Sequence, residues 1–157
     1  MIRVPAEVRR TFRLAVPAPE AFTLMRDVPR WARLFPNVES VQPLPEAGED
    51  AYVWTMEPLG PPGVQVRTVY ACRYTFDAEG LQVNWVPVPG EGNATFTGGV
   101  AYTEDGPEAD GALWLEAELE IPAPRFVAGV VRAALTAEFG RMTDRFLRRL
   151  SREVRRL

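Results

Sequence analysis

Histidine is absent from this chain, and so is lysine. Without histidine there is no imidazole base, no Ser–His or Cys–His nucleophile and no His-ligated metal. The single cysteine, Cys72, excludes an internal disulfide and any multi-cysteine metal site. No apolar run reaches the ~18 residues of a membrane span, and the N-terminus lacks the apolar core of a signal peptide. A cytoplasmic protein with no metal or other cofactor, and with no stable membrane insertion, is the expectation. All 18 basic residues are arginines, which points to no mechanism by itself.

What is present suits one globular domain spanning residues 1–157. The 157 residues are 46% apolar and 25% charged. A chain of that size buries roughly two-thirds of its unfolded surface, so there is room for a core and a cavity. Charge is unevenly spread. From Arg125 onward, nine arginines face only Glu138, Asp144 and Glu153; the preceding part holds nine arginines against 18 acids. The body is acidic and the tail basic.

The tail is the organising stretch. It follows Pro122 and Pro124 and runs from Arg125 to Leu157 without another proline. Val131, Leu135, Phe139, Met142, Phe146, Leu150, Val154 and Leu157 recur at steps of three and four, which predicts one apolar stripe on a helix ~50 Å long. Such a stripe needs a broad apolar surface to lie on.

The rest of the chain reads as that surface. Residues 8–16 alternate as a half-buried strand, with Arg10 interrupting the apolar side. Residues 19–35 hold two short helices, the first opened by Pro19 and Glu20, the second bearing Trp31, Leu34 and Phe35. Residues 38–121 then follow a six-strand meander, with strands at 38–44, 51–57, 64–76, 81–88, 94–103 and 112–121. Gly98-Gly99 predicts a bulge or bend in the fifth of these. Pro58 to Gly63 is a loop. Short connections predict antiparallel neighbours, and the one apolar face must be covered by the long helix. The fold class is α+β.

That order, with the residues from Phe12 to Leu44, resembles the START-like helix-grip (SRPBCC) superfamily. Three segments carry the likeness: Val16-Pro17-Ala18-Pro19-Glu20-Ala21-Phe22, Arg26-Asp27-Val28-Pro29-Arg30-Trp31, and Leu34-Phe35-Pro36-Asn37-Val38. The branches it resembles are polyketide cyclase/dehydrase-like proteins, coenzyme Q-binding proteins and related ribosome-associated toxins. The resemblance implies a curved antiparallel sheet of about seven strands wrapped around the C-terminal helix, with a deep apolar cavity between them.

Parity then supplies candidate ligand-binding residues. Trp54, Met56, Tyr70, Tyr74, Trp85, Phe96, Tyr102 and Leu119 share the inward sheet face with Leu115. Val131, Leu135, Phe139 and Met142 face them from the helix. Large aromatics at strand spacing also make ordinary filled cores. Tyrosine hydroxyls and tryptophan ring nitrogens among them suit a ligand pocket, which is apolar with a few polar groups.

Other features read as structural. Arg67 and Arg73 point away from the Tyr70 face towards solvent, and Cys72 sits on an apolar strand face as a small packing residue. Pro58 to Gly63, beside Trp31 and Phe35, is either a gate to the cavity or a stiff turn. The arginines from Arg145 to Arg156 form a solvated helix face, without the interleaved aromatics that nucleic acid would need. Nucleic acid is therefore not an expected partner. No residue pattern reports the oligomeric state.

The leading expectation is a carrier or sensor of a small hydrophobic molecule or lipid. The alternative is a cyclase- or hydratase-type enzyme acting on a hydrophobic substrate such as a polyketide. It would work without histidine and with no acid placed by parity on the cavity face, so no catalytic residue is assigned. A third reading is a ribosome- or membrane-docking module using the basic helix.

Overall fold

A computed structural model describes residues 1–59 and 65–157. The seven strands are β1 (Ile2–Leu14), β2 (Val38–Pro43), β3 (Ala51–Met56), β4 (Val69–Asp77), β5 (Gln82–Pro87), β6 (Ala94–Asp105) and β7 (Glu108–Ile121). They form one antiparallel sheet in the order β1-β7-β6-β5-β4-β3-β2. Helices α1 (Ala18–Met25) and α2 (Val28–Ala32) lie between β1 and β2, and α3 (Ala128–Val154) ends the fold. The curved sheet holds α3 against its apolar face, the helix-grip arrangement that the family resemblance implies.

β1 begins at Ile2 rather than at Val8. Ile2, Val4 and Ala6 are buried and extend the alternation, so β1 pairs with β7 from Ile2↔Ile121 to Leu14↔Ala109. Val16 is buried too, but it lies beyond the strand. β7 likewise begins before Ala112, because Ala109 to Gly111 pair with both β1 and β6, and Glu108 with β6. β4 begins at Val69 rather than Val64. Leu59 and Val66 form an isolated bridge ahead of it, and Val64 lies outside the described residues.

The expected bulge at Gly98-Gly99 is not there. β6 pairs in unbroken register with β7 across both glycines, and Trp85 pairs with Gly98 from the other side. The sheet's register shifts instead between Val38 and Ser40 in β2.

Local chemistry sets the short helices. Pro19 occupies the first turn of α1, which buries Ala21, Phe22, Leu24 and Met25. The Asp27 carboxylate caps α2 by accepting from the Arg30 N–H at 3.3 Å. The Trp31 indole N–H then donates to the Met25 carbonyl at 2.9 Å, fixing the ring in the core.

α3 starts after a single 3-10 turn, Arg125–Val127, so the regular helix is shorter than the predicted 125–157. Its two halves differ. Phe139, Met142, Phe146, Leu150 and Val154 are buried, whereas Val131 and Leu135 are half-buried. Leu157 does not continue the buried stripe: it is 59% exposed beyond the helix end. Arg10, on the inward face of β1, donates to the Asp144 carboxylate of α3 at 2.8 Å. The C-terminal half is thus seated on the sheet and the N-terminal half stands off it.

Candidate functional site

Among the described residues, two mainly apolar spaces are bordered by both the sheet and α3. The inner one is a cavity of about 50 Å3. From the predicted set, Trp54, Met56, Tyr70, Tyr74, Trp85 and Phe96 border it on the sheet side and Phe139 on the helix side. Trp31, Phe35, Thr68 and Thr143 also border it.

Rings fill most of this interior. Trp31 lies 5.6 Å from Trp54, 5.9 Å from Tyr74, and 6.0 Å from both Trp85 and Phe146. Phe35 stacks on Phe146 at 4.0 Å, and Tyr70 meets Phe96 at 4.0 Å. What remains is well short of the ~150 Å3 that admits a benzene ring in an engineered apolar cavity. The deep hollow implied by the family resemblance is therefore largely occupied, because Trp31 enters it from α2.

The second space is an open groove of about 640 Å3 under the N-terminal half of α3. Leu119 borders it from β7, and Val131 and Leu135 from the helix. Pro58, Leu59 and Val66 form part of its wall. Leu59 and Thr68 border both spaces, so the groove and the cavity adjoin there. The rest of the predicted Pro58–Gly63 gate lies outside the described residues.

Tyr102 belongs to neither lining. Its ring packs edge-on against Phe12 at 5.9 Å, and its buried hydroxyl has no hydrogen-bond partner among the described residues. Parity placed it correctly on the inward face, but its neighbour there is β1 and not α3.

The polar groups of the inner cavity are few. Burial, with a smaller contribution from Cys72, holds the Tyr70 and Tyr74 phenols well above their ordinary pKa. Burial also pushes the Cys72 thiol up to about 12, and its Sγ contacts the Phe96 carbonyl at 3.4 Å. These groups stay protonated at neutral pH, as hydrogen-bond donors rather than bases. The buried Trp54 indole N–H interacts with the Tyr74 phenol but forms no well-aligned hydrogen bond among the described residues. Among the described lining residues of both spaces, the one carboxylate is Glu138 at the groove's edge, ion-paired with Arg141.

Arg73 lies on the opposite sheet face and donates to the Ala47 carbonyl at 3.0 Å, and Arg67, exposed ahead of β4, pairs with Glu39. Sequence reasoning set Trp31 and Phe35 beside the Pro58–Gly63 loop, whereas Trp31 is buried among the cavity's rings and Phe35, half-buried, lines the same cavity. It also passed over Thr143, whose signal was available: a polar residue on the buried stripe between Phe139 and Phe146.

Comparison with known proteins agrees with this architecture. The family model described as polyketide cyclase / dehydrase and lipid transport matches residues 5–155. A crystal structure of a protein from Thermus thermophilus superposes with a TM-score of 0.71 at 21% identity, covering 94% of this chain and 96% of that one. The Zhui aromatase/cyclase from Streptomyces sp. R1128 gives 0.69 at 19% identity, covering 97% and 94%. A START superfamily protein from Mycobacterium smegmatis gives 0.69 at 14% identity, covering 96% and 97%. At these identities the likeness is one of fold. No curated protein matches the sequence.

Proposed function

This chain belongs to the polyketide cyclase/dehydrase and lipid transport family, and from that premise we propose that it binds and carries an elongated hydrophobic molecule or lipid. The observation that carries the reading is adjacency. The groove beneath Val131 and Leu135 meets the aromatic cavity at Leu59 and Thr68, which border both. The body of the ligand lies in the groove, and a small terminal group enters the cavity.

Affinity comes from apolar area leaving water, at about 25 cal/mol per Å2. Orientation comes from the inner end. The Trp54 N–H, only loosely engaged with Tyr74, and the protonated Tyr70 and Tyr74 favour a terminal group that accepts hydrogen bonds, such as a carbonyl or ether oxygen. A cyclase- or hydratase-type reaction would need a proton acceptor beside the ligand. The described lining offers no unpaired carboxylate for that role, which favours the carrier reading.

Leu135→Arg tests it. The position is half-buried on the groove wall, so a charge there obstructs the apolar site without opening the core. Binding of the apolar dye N-phenyl-naphthylamine should weaken about tenfold or more, the expected penalty for desolvating a charge. Native mass spectrometry of the unaltered protein should show a co-purified apolar molecule. An empty protein whose dye affinity ignores Leu135→Arg would remove the reading.

A further inference from the structure

The outward face of α3 changes character halfway along. Val130, Ala134 and Ala137 follow one another at steps of four and three, and all are exposed. The same line continues through Arg141, Arg145, Arg148, Arg152 and Arg155, also all exposed. At 1.5 Å per residue this single line is ~37 Å long. In the turn ahead of it Phe126 is 87% exposed, and at its start Val130 is 75% exposed. Large apolar side chains held this far into water mark an interaction surface when they lie together.

The basic half is not neutralised by the helix's own acids. Glu138 pairs with Arg141, Asp144 with Arg10 and Glu153 with Arg30. Among the described residues, none forms an ion pair with Arg145, Arg148, Arg152 or Arg155. Of the acids of β1 and β7, Glu7, Glu116, Glu118 and Glu120 pair with Arg3 and Arg9, and Glu108 and Asp110 with Arg13. The net charge of −3 therefore hides a segregated distribution, with an uncompensated positive line on the helix side.

We propose that this face of α3 docks on an anionic bilayer surface. Phe126 and Val130 enter the boundary between headgroups and acyl chains, and the arginines lie along the headgroups. The pairing of an apolar patch with a basic line, end to end on one face, is what an anionic interface matches and a uniformly polar partner does not. Nucleic acid fits poorly, since base stacking needs aromatics between the arginines and the arginine half holds none on this line. Val130 and Ala134 also border the groove, so docking brings its mouth to the bilayer. The docking itself does not depend on what the groove holds.

The test is co-sedimentation with vesicles of equal parts phosphatidylcholine and phosphatidylglycerol, against phosphatidylcholine alone. The protein should bind the anionic vesicles at low salt, leave the neutral ones unbound, and weaken as salt screens the arginines. Arg148→Glu with Arg152→Glu should lower anionic-vesicle affinity by at least about tenfold. Phe126→Ser should lower it while leaving the salt dependence in place. All three positions are exposed, so melting temperatures should be unchanged and dye binding in the groove should survive. Failure to bind anionic vesicles, equal binding to neutral ones, or indifference to the double charge reversal overturns the proposal. So does a concentration-dependent dimer abolished by Phe126→Ser, or a poly-uridine strand that displaces the vesicles. Any of these leaves the groove's ligand reading intact, because the dye reports on it separately.

Discussion

Gly98 is where a missing side chain makes room for a wall of the site. A Cβ placed there would lie 2.8 Å from the Trp85 ring and would collide with the Trp114 carbonyl on the other side. Gly111 does the same for the Phe12 ring, which occupies the place of its side chain. Neither glycine is needed for a left-handed turn; each serves close approach. Gly98→Ala should cost about 1–3 kcal/mol in urea unfolding, the usual range for overpacking, and should shift tryptophan fluorescence by moving Trp85. A loss under about half a kcal/mol with unchanged fluorescence would show that the strand yields instead. The pair Gly98-Gly99 was visible in the sequence as an irregularity, but its role was not. A bulge and a ring lying against a glycine leave the same mark on one strand, and only the neighbouring strand distinguishes them.

At the scale of elements, α3 divides into an anchor and an overhang. Phe146 is 1% exposed and stacks on Phe35, whereas Leu135 is half-buried over the groove. Phe146→Ala should cost about 3–5 kcal/mol and Leu135→Ala much less, at most about 1 kcal/mol, in chemical denaturation. Equal costs would mean that the overhang is packed like the anchor and that the groove closes in solution. The apolar stripe of α3 was legible from its spacing. The division was not, because steps of three and four are the same in both halves. Arg10 held the missing information. A charge on the inward face of β1 looked like an interruption, and it pairs with Asp144 on the anchored half, which the buried stripe from Phe139 to Val154 seats on the sheet.

At the scale of the whole molecule, burial of ionisable groups sets a limit at alkaline pH. Tyr70, Tyr74 and Tyr102 titrate above their ordinary 10.0, and Cys72 is raised from 9.0 to about 12, in each case chiefly by burial. Their folded pKa values exceed the unfolded ones. Below about pH 9 they cost the fold nothing through ionisation. As pH rises from there through 12, the unfolded chain loses protons that the folded one keeps, and stability falls. Melting temperature should therefore decline from about pH 9 upward, and Cys72→Ala should soften the first part of that decline. A melting temperature flat to about pH 12 would mean that these groups are more accessible to water than their burial indicates.

Periodicity alone determined the element order, the inward face of each strand and the stripe on the last helix. Alternation and helical spacing are local properties, written within a few residues of one another. The volume left between sheet and helix belongs to the tertiary structure. Trp31 fills the centre from α2 by meeting Trp54, Tyr74, Trp85 and Phe146, residues of four other elements. Whether facing side chains enclose a space or close it depends on how far apart their backbones are held, and that distance is set by the packing of all the elements together.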